Sequence, residues 1–347
     1  MRRLERPLPS PHPGHPGVVV PVAVDPSGRR GPTRQASRGS GWRRVSAGLF
    51  VPATVDPESV AQRIVEAAAD LPPYGGVTGW AALSWAGGRW FDGTEDRPIT
   101  LAIGGGNLRP DARRVLSKER LAPDELVFHD GLWLTRAVRS VCFEMRYAPS
   151  VRAAVLALEM AAYSDLVSVA ECQEFVDRHL AGWTGVQQCR DALPLADENV
   201  WSPTEHEMRF LWTDAGKPRP RCNVPVFDLD GRHLGTPDLI DPETGVIGEY
   251  DGSTHLSGAQ RAKDLAREDR FRKHGLHPVT MVGADRIKPA AYLDRLESTY
   301  ARAEAMPASG RRWTLERPAW WTPTESVRQR RALTESDQRR LLAYRAG

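Results

Sequence analysis

Cysteine is scarce in this sequence, and no two cysteines are close enough along the chain to suggest a shared site. The four residues are Cys142, Cys172, Cys189 and Cys222. Because none of them belongs to a C-x-x-C pair, the sequence argues against a zinc ribbon and against a disulfide scaffold. Isolated cysteines are typical of a reducing cytosol. We therefore expect a cytoplasmic protein in which Cys172 and Cys189, which lie in helix-like segments, are small buried side chains.

Long apolar runs are also missing from the chain. No stretch of eighteen or more apolar residues occurs, so we expect no membrane-spanning helix and no membrane partner. Residues 1–17 are basic but contain no apolar segment before a small-residue cleavage site, which argues against a signal peptide. With 41% hydrophobic and 26% charged residues, the 347-residue chain has a globular composition, and its length favours more than one domain.

Positive charge is concentrated at the two ends of the chain. Residues 1–45 hold nine Arg against two acids, and residues 307–347 hold nine Arg against four acids. Since the net charge of the whole chain is +3, residues 46–306 carry −9. Arg-rich ends are consistent with nucleic-acid contact, because each Arg that neutralises a phosphate releases counterions. The alternative is a pair of solvated tails with no nucleic-acid partner.

The first part of the chain is predicted to be a basic tail followed by a mixed α/β, mostly helical domain. Residues 1–41 are rich in Pro, Gly, Ser and Arg without sustained periodicity, and we expect them to be disordered. Residues 42–196 begin with a short hairpin at 43–53, and their tryptophans, such as Trp85 and Trp133, are interpreted as core residues. The other predicted elements are helices at 57–71, 77–88, 150–164 and 167–182 and strands at 97–105 and 126–135.

A change of pattern predicts a second domain at 197–306. Its helix and strand signals follow the order α-β-β-β-α-β, so we predict an α+β protein. The first helix has a strong start signal, with Ser202 at the N-cap, Pro203 next and Glu205 in the first turn. Residues 307–347 are interpreted as an Arg-rich tail. The predicted elements are a helix at 202–216, strands at 222–231, 233–241 and 245–252, a helix at 258–275, a strand at 277–283 and a helix at 290–305.

Carboxylates cluster on the second and third predicted strands of this domain. Asp238 lies on the second strand, and Glu249 and Asp251 have the same parity near the end of the third. If consecutive strands pair, these side chains share one face of the sheet and repel one another. A hard divalent cation would offset that repulsion, and Mg²⁺ is commonly held by one or two carboxylates. A hairpin that merely carries acids at its ends is the alternative interpretation.

Two further residues could join this cluster. Glu205 could reach the same strands from the preceding helix, or it could act only as a helix-capping residue that bonds the backbone of Ser202. His255 follows the third strand and could act as a base or as a phosphate contact. An isolated loop histidine often has neither role, so the spacing leaves both interpretations open.

Several of these segments resemble one nuclease family in their order and spacing. They are SPTE (202–205), AGKPRPRCNVPVFD (215–228), GTPDLID (235–241), GEYDGSTH (248–255) and a D-x-x-RE helix motif at Asp264, Arg267 and Glu268. Together they resemble the DUF559 and very-short-patch-repair branch of the PD-(D/E)xK nucleases. This resemblance covers about residues 202–290 and implies a restriction-endonuclease-like αβββαβ core.

The resemblance implies a metal-binding active site that acts on DNA. Asp238 of the PD element and Glu249 of the ExK element would bind Mg²⁺ or Mn²⁺, with Asp251 as a further ligand or as a water-positioning group. Glu205 and His255 match recurrent positions of the same branch, and they would complete the set of catalytic residues.

The ExK lysine is replaced in this sequence by Asp251. A lysine there would stabilise the negative charge that develops on the phosphate, and an aspartate cannot do so. Lys263, or less directly Lys273, could supply that charge from the next helix, although both can equally be solvated helix lysines. Lys263 and Arg267 are also the expected nucleic-acid contacts.

Residues 42–196 resemble, through GLFVPA, VTGWAALSWAGG and AECQEF, the amino-terminal part of actinobacterial DUF559 proteins. Those proteins are sometimes grouped with antitoxin domains of the AbiEi type, which implies a winged-helix-like module that contacts DNA or regulates the protein. The two resemblances together suggest a metal-dependent DNA endonuclease in DNA repair, restriction or mobile-element defence. The alternative is a catalytically degenerate DNA-binding or antitoxin-like regulatory protein.

Overall fold

The structure is a computed structural model that describes residues 14–93, 97–252, 258–307 and 310–346, without the side chains of 258–264 and 346. The described residues form an α+β protein. The chain divides into two compact units, of which the first ends at Leu195 and the second begins at Ala196. In the described ranges, no helix combines the length and the apolar character that crossing a membrane requires.

A three-stranded antiparallel sheet opens the first unit. Its strands are β1 (Val22–Ala23), β2 (Trp42–Ser46) and β3 (Leu49–Pro52), in the order β1-β3-β2. The predicted hairpin at 43–53 is confirmed as β2 and β3. The expectation of disorder for residues 1–41 does not hold for its described part, because Val22 pairs with Phe50 and Asp25 accepts hydrogen bonds from the backbone of a tight turn.

A mixed sheet forms the centre of the first unit. Its strands are β4 (Gly76–Thr78), β5 (Ile99–Ala102), β6 (Arg114–Ser117), β7 (Leu126–His129) and β8 (Leu132–Thr135). The strand order is β6-β5-β4-β8-β7. The central strand β4 is buried, and it pairs parallel with β8 and antiparallel with β5.

Helices supply the rest of the core of the first unit. They are α1 (Val60–Ala68), α2 (Gly79–Trp85), α3 (Ala137–Tyr147), α4 (Val151–Tyr163), α5 (Val169–His179) and α6 (Val186–Ala192). Cys172 and Cys189 are buried in α5 and α6, as predicted. Trp85 is buried, but the core interpretation is wrong for Trp133, which is 51% exposed. Trp133 is adjacent to the buried Leu134 on β8, and alternation along a strand turns it to the opposite face.

The second unit contains two sheets and several helices. The strands are β9 (Arg221–Cys222), β10 (Val226–Asp228), β11 (His233–Gly235), β12 (Leu239–Ile240), β13 (Val246–Asp251), β14 (His277–Val282) and β15 (Trp313–Thr314). One sheet has the strand order β14-β13-β12-β9, and the other has the order β11-β10-β15. The helices are α7 (Pro203–Asp214), α8 (Gly258–Lys273), α9 (Ala290–Glu304), α10 (Val327–Arg331) and α11 (Glu335–Leu341).

Two predicted strands of this unit are each divided between the two sheets. The segment predicted as a strand at 222–231 contains β9 and β10, and the segment at 233–241 contains β11 and β12. Asn223 separates the first pair with a left-handed backbone (φ 49°), and Pro225 has no N–H to donate. Pro237 lies in the same way between β11 and β12. Each segment therefore leaves one sheet and enters the other.

The last residues of the chain are part of the second unit, so the interpretation of 307–347 as a tail is wrong for the residues described. Trp313 of β15 pairs with Asp228 of β10, and its side chain is buried. In α10 the buried Arg330 donates to the carbonyl of Glu198, and the N–H of Val327 donates to the Glu198 carboxylate. These contacts attach the end of the unit to its beginning.

One apolar cluster joins the two sheets of the second unit to α8. It includes Val226 of β10, Ile240 of β12, Ile247 of β13, Phe271 of α8 and Trp313 of β15. Because this cluster fixes β12, β13 and α8 relative to one another, it also fixes the side chains that these elements carry at their ends.

Candidate active site

Asp238 and Glu249 occupy opposed positions on neighbouring antiparallel strands. In the β12–β13 ladder, Leu239 pairs with Gly248 and Ile240 pairs with Ile247. Continuing that register by one residue places Asp238 opposite Glu249, and residues opposite each other point to the same face of a sheet. The two carboxylates that the strand pattern predicts to be neighbours are thus at the same end of the same strand pair.

The carboxylate of Asp238 is anchored to the backbone of β13. Its Oδ2 accepts a hydrogen bond of 2.8 Å from the N–H of Tyr250. Burial raises the pKa of Asp238 to about 6, while the Tyr250 N–H and the charge of Arg267 act in the opposite direction. Asp238 is therefore mostly ionised at neutral pH but exchanges its proton at only mildly acidic pH.

Glu205 is both a helix-capping residue and a neighbour of Asp238. Ser202 at the N-cap of α7 accepts a hydrogen bond from the Glu205 N–H, as the sequence signal predicts. The Glu205 carboxylate in turn accepts hydrogen bonds from the N–H of Trp201 (2.8 Å), from Ser202 Oγ (3.0 Å) and from Asn223 Nδ2 (2.7 Å). Burial and, after it, the charge of Asp238 raise the pKa of Glu205 to about 8. Glu205 therefore lies near Asp238, but in place of the expected bond to the Ser202 backbone its carboxylate bonds the N–H of Trp201 and the hydroxyl of Ser202.

Arg267 of α8 lies beside the carboxylate pair. Its Nη2 is 3.1 Å from Oε2 of Glu249, and the exposed fractions of the two side chains are 40% and 18%. The same guanidinium favours the ionised form of Asp238. Arg267 was expected to contact nucleic acid, but in the structure it forms an ion pair within the site. Its partly exposed position still leaves it open to solvent.

Asp251 does not join Asp238 and Glu249 in a metal-binding group. Asp251 is exposed at the end of β13, and the described residues contain no group of three or more His, Cys, Asp or Glu side chains that could hold a metal ion. The rise of the strand explains this difference, because Asp251, although it has the same parity as Glu249, is two residues and therefore about 7 Å further along the strand. The expectation of a three-carboxylate metal site is corrected to a pair, with Glu205 behind it.

Two predicted site residues lie outside what the structure describes. His255 falls between the described ranges, and Lys263 belongs to α8 but its side chain is not among those described. Their expected roles, as a base and as a source of positive charge, are therefore untested.

Asn223 is a site residue that the sequence analysis missed. Its side chain is buried, and Nδ2 donates to Oε2 of Glu205 and to the carbonyl of Asn199, each at 2.7 Å. Its backbone N–H donates to the carbonyl of Asp238 at 2.9 Å. Asparagine tolerates a left-handed backbone better than most residues, so an Asn before Val-Pro between two short strands was the available signal. Asn223 links the strand of Asp238 to the helix of Glu205.

Comparisons of this chain with protein-family models, with curated proteins and with solved structures give no match. The functional argument therefore depends on the geometry of the site. The site consists of two opposed carboxylates, a third carboxylate buried behind them and one guanidinium in contact with the pair. This arrangement can attract a divalent cation, and it can also present a positive group to an anionic substrate.

Proposed function

We propose that this protein is a metal-dependent DNA endonuclease, which hydrolyses phosphodiester bonds with Mg²⁺ or Mn²⁺. The observation that carries this proposal is the register of β12 and β13, which, continued by one residue beyond β12, places Asp238 opposite Glu249. Carboxylates that share a partly buried site repel one another, and a hard divalent cation relieves that repulsion. The resemblance to the very-short-patch-repair branch of the PD-(D/E)xK nucleases is consistent with this chemistry.

The donor set fits a hard cation that keeps several water ligands. Asp238 and Glu249 would hold it, because both offer carboxylate oxygens and Mg²⁺ is usually bound by one or two carboxylates with water and phosphate. Such an ion, when bound, polarises the scissile phosphate and makes a bound water more acidic. Glu205 is not assigned as a ligand, because its oxygens already accept three hydrogen bonds from the protein.

Protein side chains would also stabilise the charge that develops on the phosphate and hold Asp238 in position. Arg267 places a fixed positive charge next to Glu249, and this charge would stabilise the phosphate as it becomes more negative. Arg267 thus takes the role that Asp251 cannot perform in the E-x-D motif. Asn223 and Glu205 hold the start of β12, and with it Asp238, in position relative to α7.

The test is a Mg²⁺-dependent cleavage assay on single-stranded, mismatched and duplex DNA. We expect wild-type protein to cleave at least one of these, and we expect Asp238→Asn and Glu249→Gln to lose at least 100-fold in rate, which is on the order expected for loss of a metal-ion role. Asp230→Asn, which neutralises an exposed carboxylate in the β10–β11 turn, is the matched control. Absence of metal-dependent cleavage by wild-type protein on all three substrates would contradict the proposal.

A second candidate function is a DNA-binding regulatory protein with a degenerate nuclease site. The ion pair between Arg267 and Glu249 favours it, because the guanidinium already neutralises one of the two carboxylates that a cation would need. Calorimetric titration with Mn²⁺ separates the two functions. Metal binding that is lost in Glu249→Gln supports the enzyme, whereas DNA binding without any metal binding supports the regulatory protein.

A further inference from the structure

A cleft lies beside β14, an edge strand of its sheet. It has a volume of about 450 Å³ and is formed by residues of α8, β14 and α9. Three arginines and three hydroxyl side chains contribute to its walls, and these are Arg272, Arg295, Arg302, Thr280, Ser298 and Thr299. Guanidinium and hydroxyl groups together are the donors that proteins use most for phosphate oxygens.

The arginines of this cleft differ in how firmly the protein holds them. Arg295 donates to the Asp285 carboxylate and to the carbonyl of Thr280, so it is part of the framework. Arg272 is 58% exposed and pairs with Glu268 one helical turn away. Arg302 is exposed and donates to Thr299 Oγ1 at 2.8 Å. Arg272 and Arg302 can therefore turn toward a ligand at small cost, because an exposed ion pair or hydrogen bond contributes little.

The charges around the cleft are balanced once Asp285 is included. Three arginines and two carboxylates, those of Glu268 and Asp294, line it. Arg295 is paired with Asp285, which does not line the cleft, and Arg272 is paired with Glu268. Arg302 instead bonds the hydroxyl of Thr299, so it is the arginine that can attract an anion most directly.

One residue of the cleft pairs with a residue of the candidate active site. Thr280, which lines the cleft, pairs with Glu249 in the parallel β13–β14 ladder, and neighbouring strands are about 4.8 Å apart. On α8, Arg267 contacts Glu249, and the next residue, Glu268, lines the cleft. A polymer with a phosphate in each repeat could thus contact the cleft and the carboxylate pair at the same time.

An added β-strand from another protein is a poor fit to the same surface. β14 is an edge strand of its sheet, which would ordinarily favour strand addition. However, Pro278 has no N–H to offer, and the carbonyl of Thr280 accepts a hydrogen bond from Arg295. The edge therefore lacks backbone groups that an incoming peptide strand would need, while its side chains are suited to phosphate.

We propose that the cleft between α8, β14 and α9 binds the phosphate backbone of the nucleic acid on which the carboxylate pair acts. This inference rests on the proposed function for the identity of the polymer, but phosphate binding itself does not require cleavage. Arg272 and Arg302 each contact a phosphate.

The test measures binding of full-length protein to fluorescently labelled duplex and single-stranded DNA by anisotropy, in EDTA, over a range of salt concentrations. Each phosphate contact contributes about 0.9 to the slope of log K against log salt for duplex DNA and about 0.7 for single strands. We expect the double variant Arg272→Gln/Arg302→Gln to lose about two such contacts and to bind roughly tenfold or more weakly at low salt.

Lys273→Gln is the matched control, because Lys273 is adjacent to Arg272 on α8, is exposed and pairs with Asp269, but does not line the cleft. Equal slopes for the double variant and wild type, or an equal loss in Lys273→Gln, would overturn the proposal, provided that thermal denaturation shows all variants folded. If wild-type protein binds neither DNA, this proposal is wrong, and the Mg²⁺-dependent cleavage assay decides separately on the nuclease. If binding depends on the cleft but no metal-dependent cleavage occurs, only the nuclease is wrong.

Discussion

The guanidinium of Arg267 is 3.1 Å from the carboxylate of Glu249, so the acidic end of β13 is already partly neutralised by the helix that follows it. If the protein is the proposed nuclease, this contact supplies the positive group that Asp251 of the E-x-D motif cannot. It also sets up a competition, because a metal ion and the arginine would share the same glutamate.

Removing that competition changes metal binding and cleavage in opposite directions. We expect Arg267→Gln to bind Mn²⁺ more tightly, because one positive charge near Glu249 and Asp238 is removed. We also expect it to cleave DNA roughly 10- to 100-fold more slowly, because the developing phosphate charge loses a donor. Calorimetry and the cleavage assay measure the two effects. Weaker Mn²⁺ binding would instead mean that Arg267 mainly positions Glu249, and Lys273→Gln should change neither quantity.

Asp238 and Asp251 should differ sharply in their effect on metal binding. The register of β12 and β13 places Asp238 opposite Glu249, whereas Asp251 is exposed at the end of β13. We expect Asp238→Asn to abolish the Mn²⁺ heat in calorimetry and Asp251→Asn to retain it within a few-fold in affinity. Equal losses in the two variants would restore the three-carboxylate site that the sequence predicts.

The protonation of Glu205 should make the unfolding free energy depend on pH. The pKa of this group is raised to about 8 in the native state by burial and by Asp238, while its unfolded value is near 4.3. Between these two pKa values the native state keeps a proton on Glu205 that the unfolded state has lost. The free energy of unfolding is therefore greatest below the unfolded-state pKa and falls as the pH rises toward 8. One extra proton corresponds to about 1.4 kcal/mol for each pH unit. Urea denaturation in metal-free buffer should show this decline, and Glu205→Gln should flatten it; identical slopes would contradict the assignment.

Asn223 should be sensitive to substitution for two separable reasons. Asn223→Gly keeps the left-handed backbone but loses the hydrogen bonds to Glu205 and Asn199, which we expect to cost about 1–3 kcal/mol. Asn223→Ala loses the same bonds and, unlike glycine, keeps a Cβ in the left-handed region, so we expect it to be about 1–2 kcal/mol less stable than Asn223→Gly. Chemical denaturation of both variants measures the difference. If alanine proves as stable as glycine, the backbone argument is wrong.

A comparison of Trp313 with Trp320 tests whether residues 310–346 stabilise the second unit. Trp313 is buried against the second unit's core, and Trp320 is 62% exposed. We expect Trp313→Ala to destabilise the second unit by about 3–5 kcal/mol and Trp320→Ala to cost roughly 1 kcal/mol or less. A small effect of Trp313→Ala in urea denaturation would mean that residues 310–346 behave as a tail after all.

The parts of the fold that depend on local signals were predictable from the sequence. The N-cap of α7 at Ser202 follows from Ser-Pro-x-Glu, and the strand character of β13 follows from its apolar run. The opposition of Asp238 and Glu249 follows from the short turn between two strands of known parity. Each of these features is determined by residues close together in the chain.

The features that were missed depend on partners far away in the chain. β15 is two residues long and is a strand only because Trp313 and Thr314 pair with β10. The ion pair of Arg267 depends on where the apolar cluster around Phe271 places α8 against β13, and no spacing rule predicts that distance. The same holds for Asn223, whose partners belong to α7 and to the segment before it.

The pairing of β10 with β15 has a consequence for the synthesis of the chain. At about 5–20 residues per second, β15 leaves the ribosome on the order of ten seconds after β10. During that interval one edge of β10 has no neighbouring strand, and the apolar cluster lacks Trp313. Arg330, which bonds the carbonyl of Glu198, arrives later still. The second unit therefore completes its folding only after residues 313–330 have been made, and until then it presents an open strand edge to chaperones and to other nascent chains.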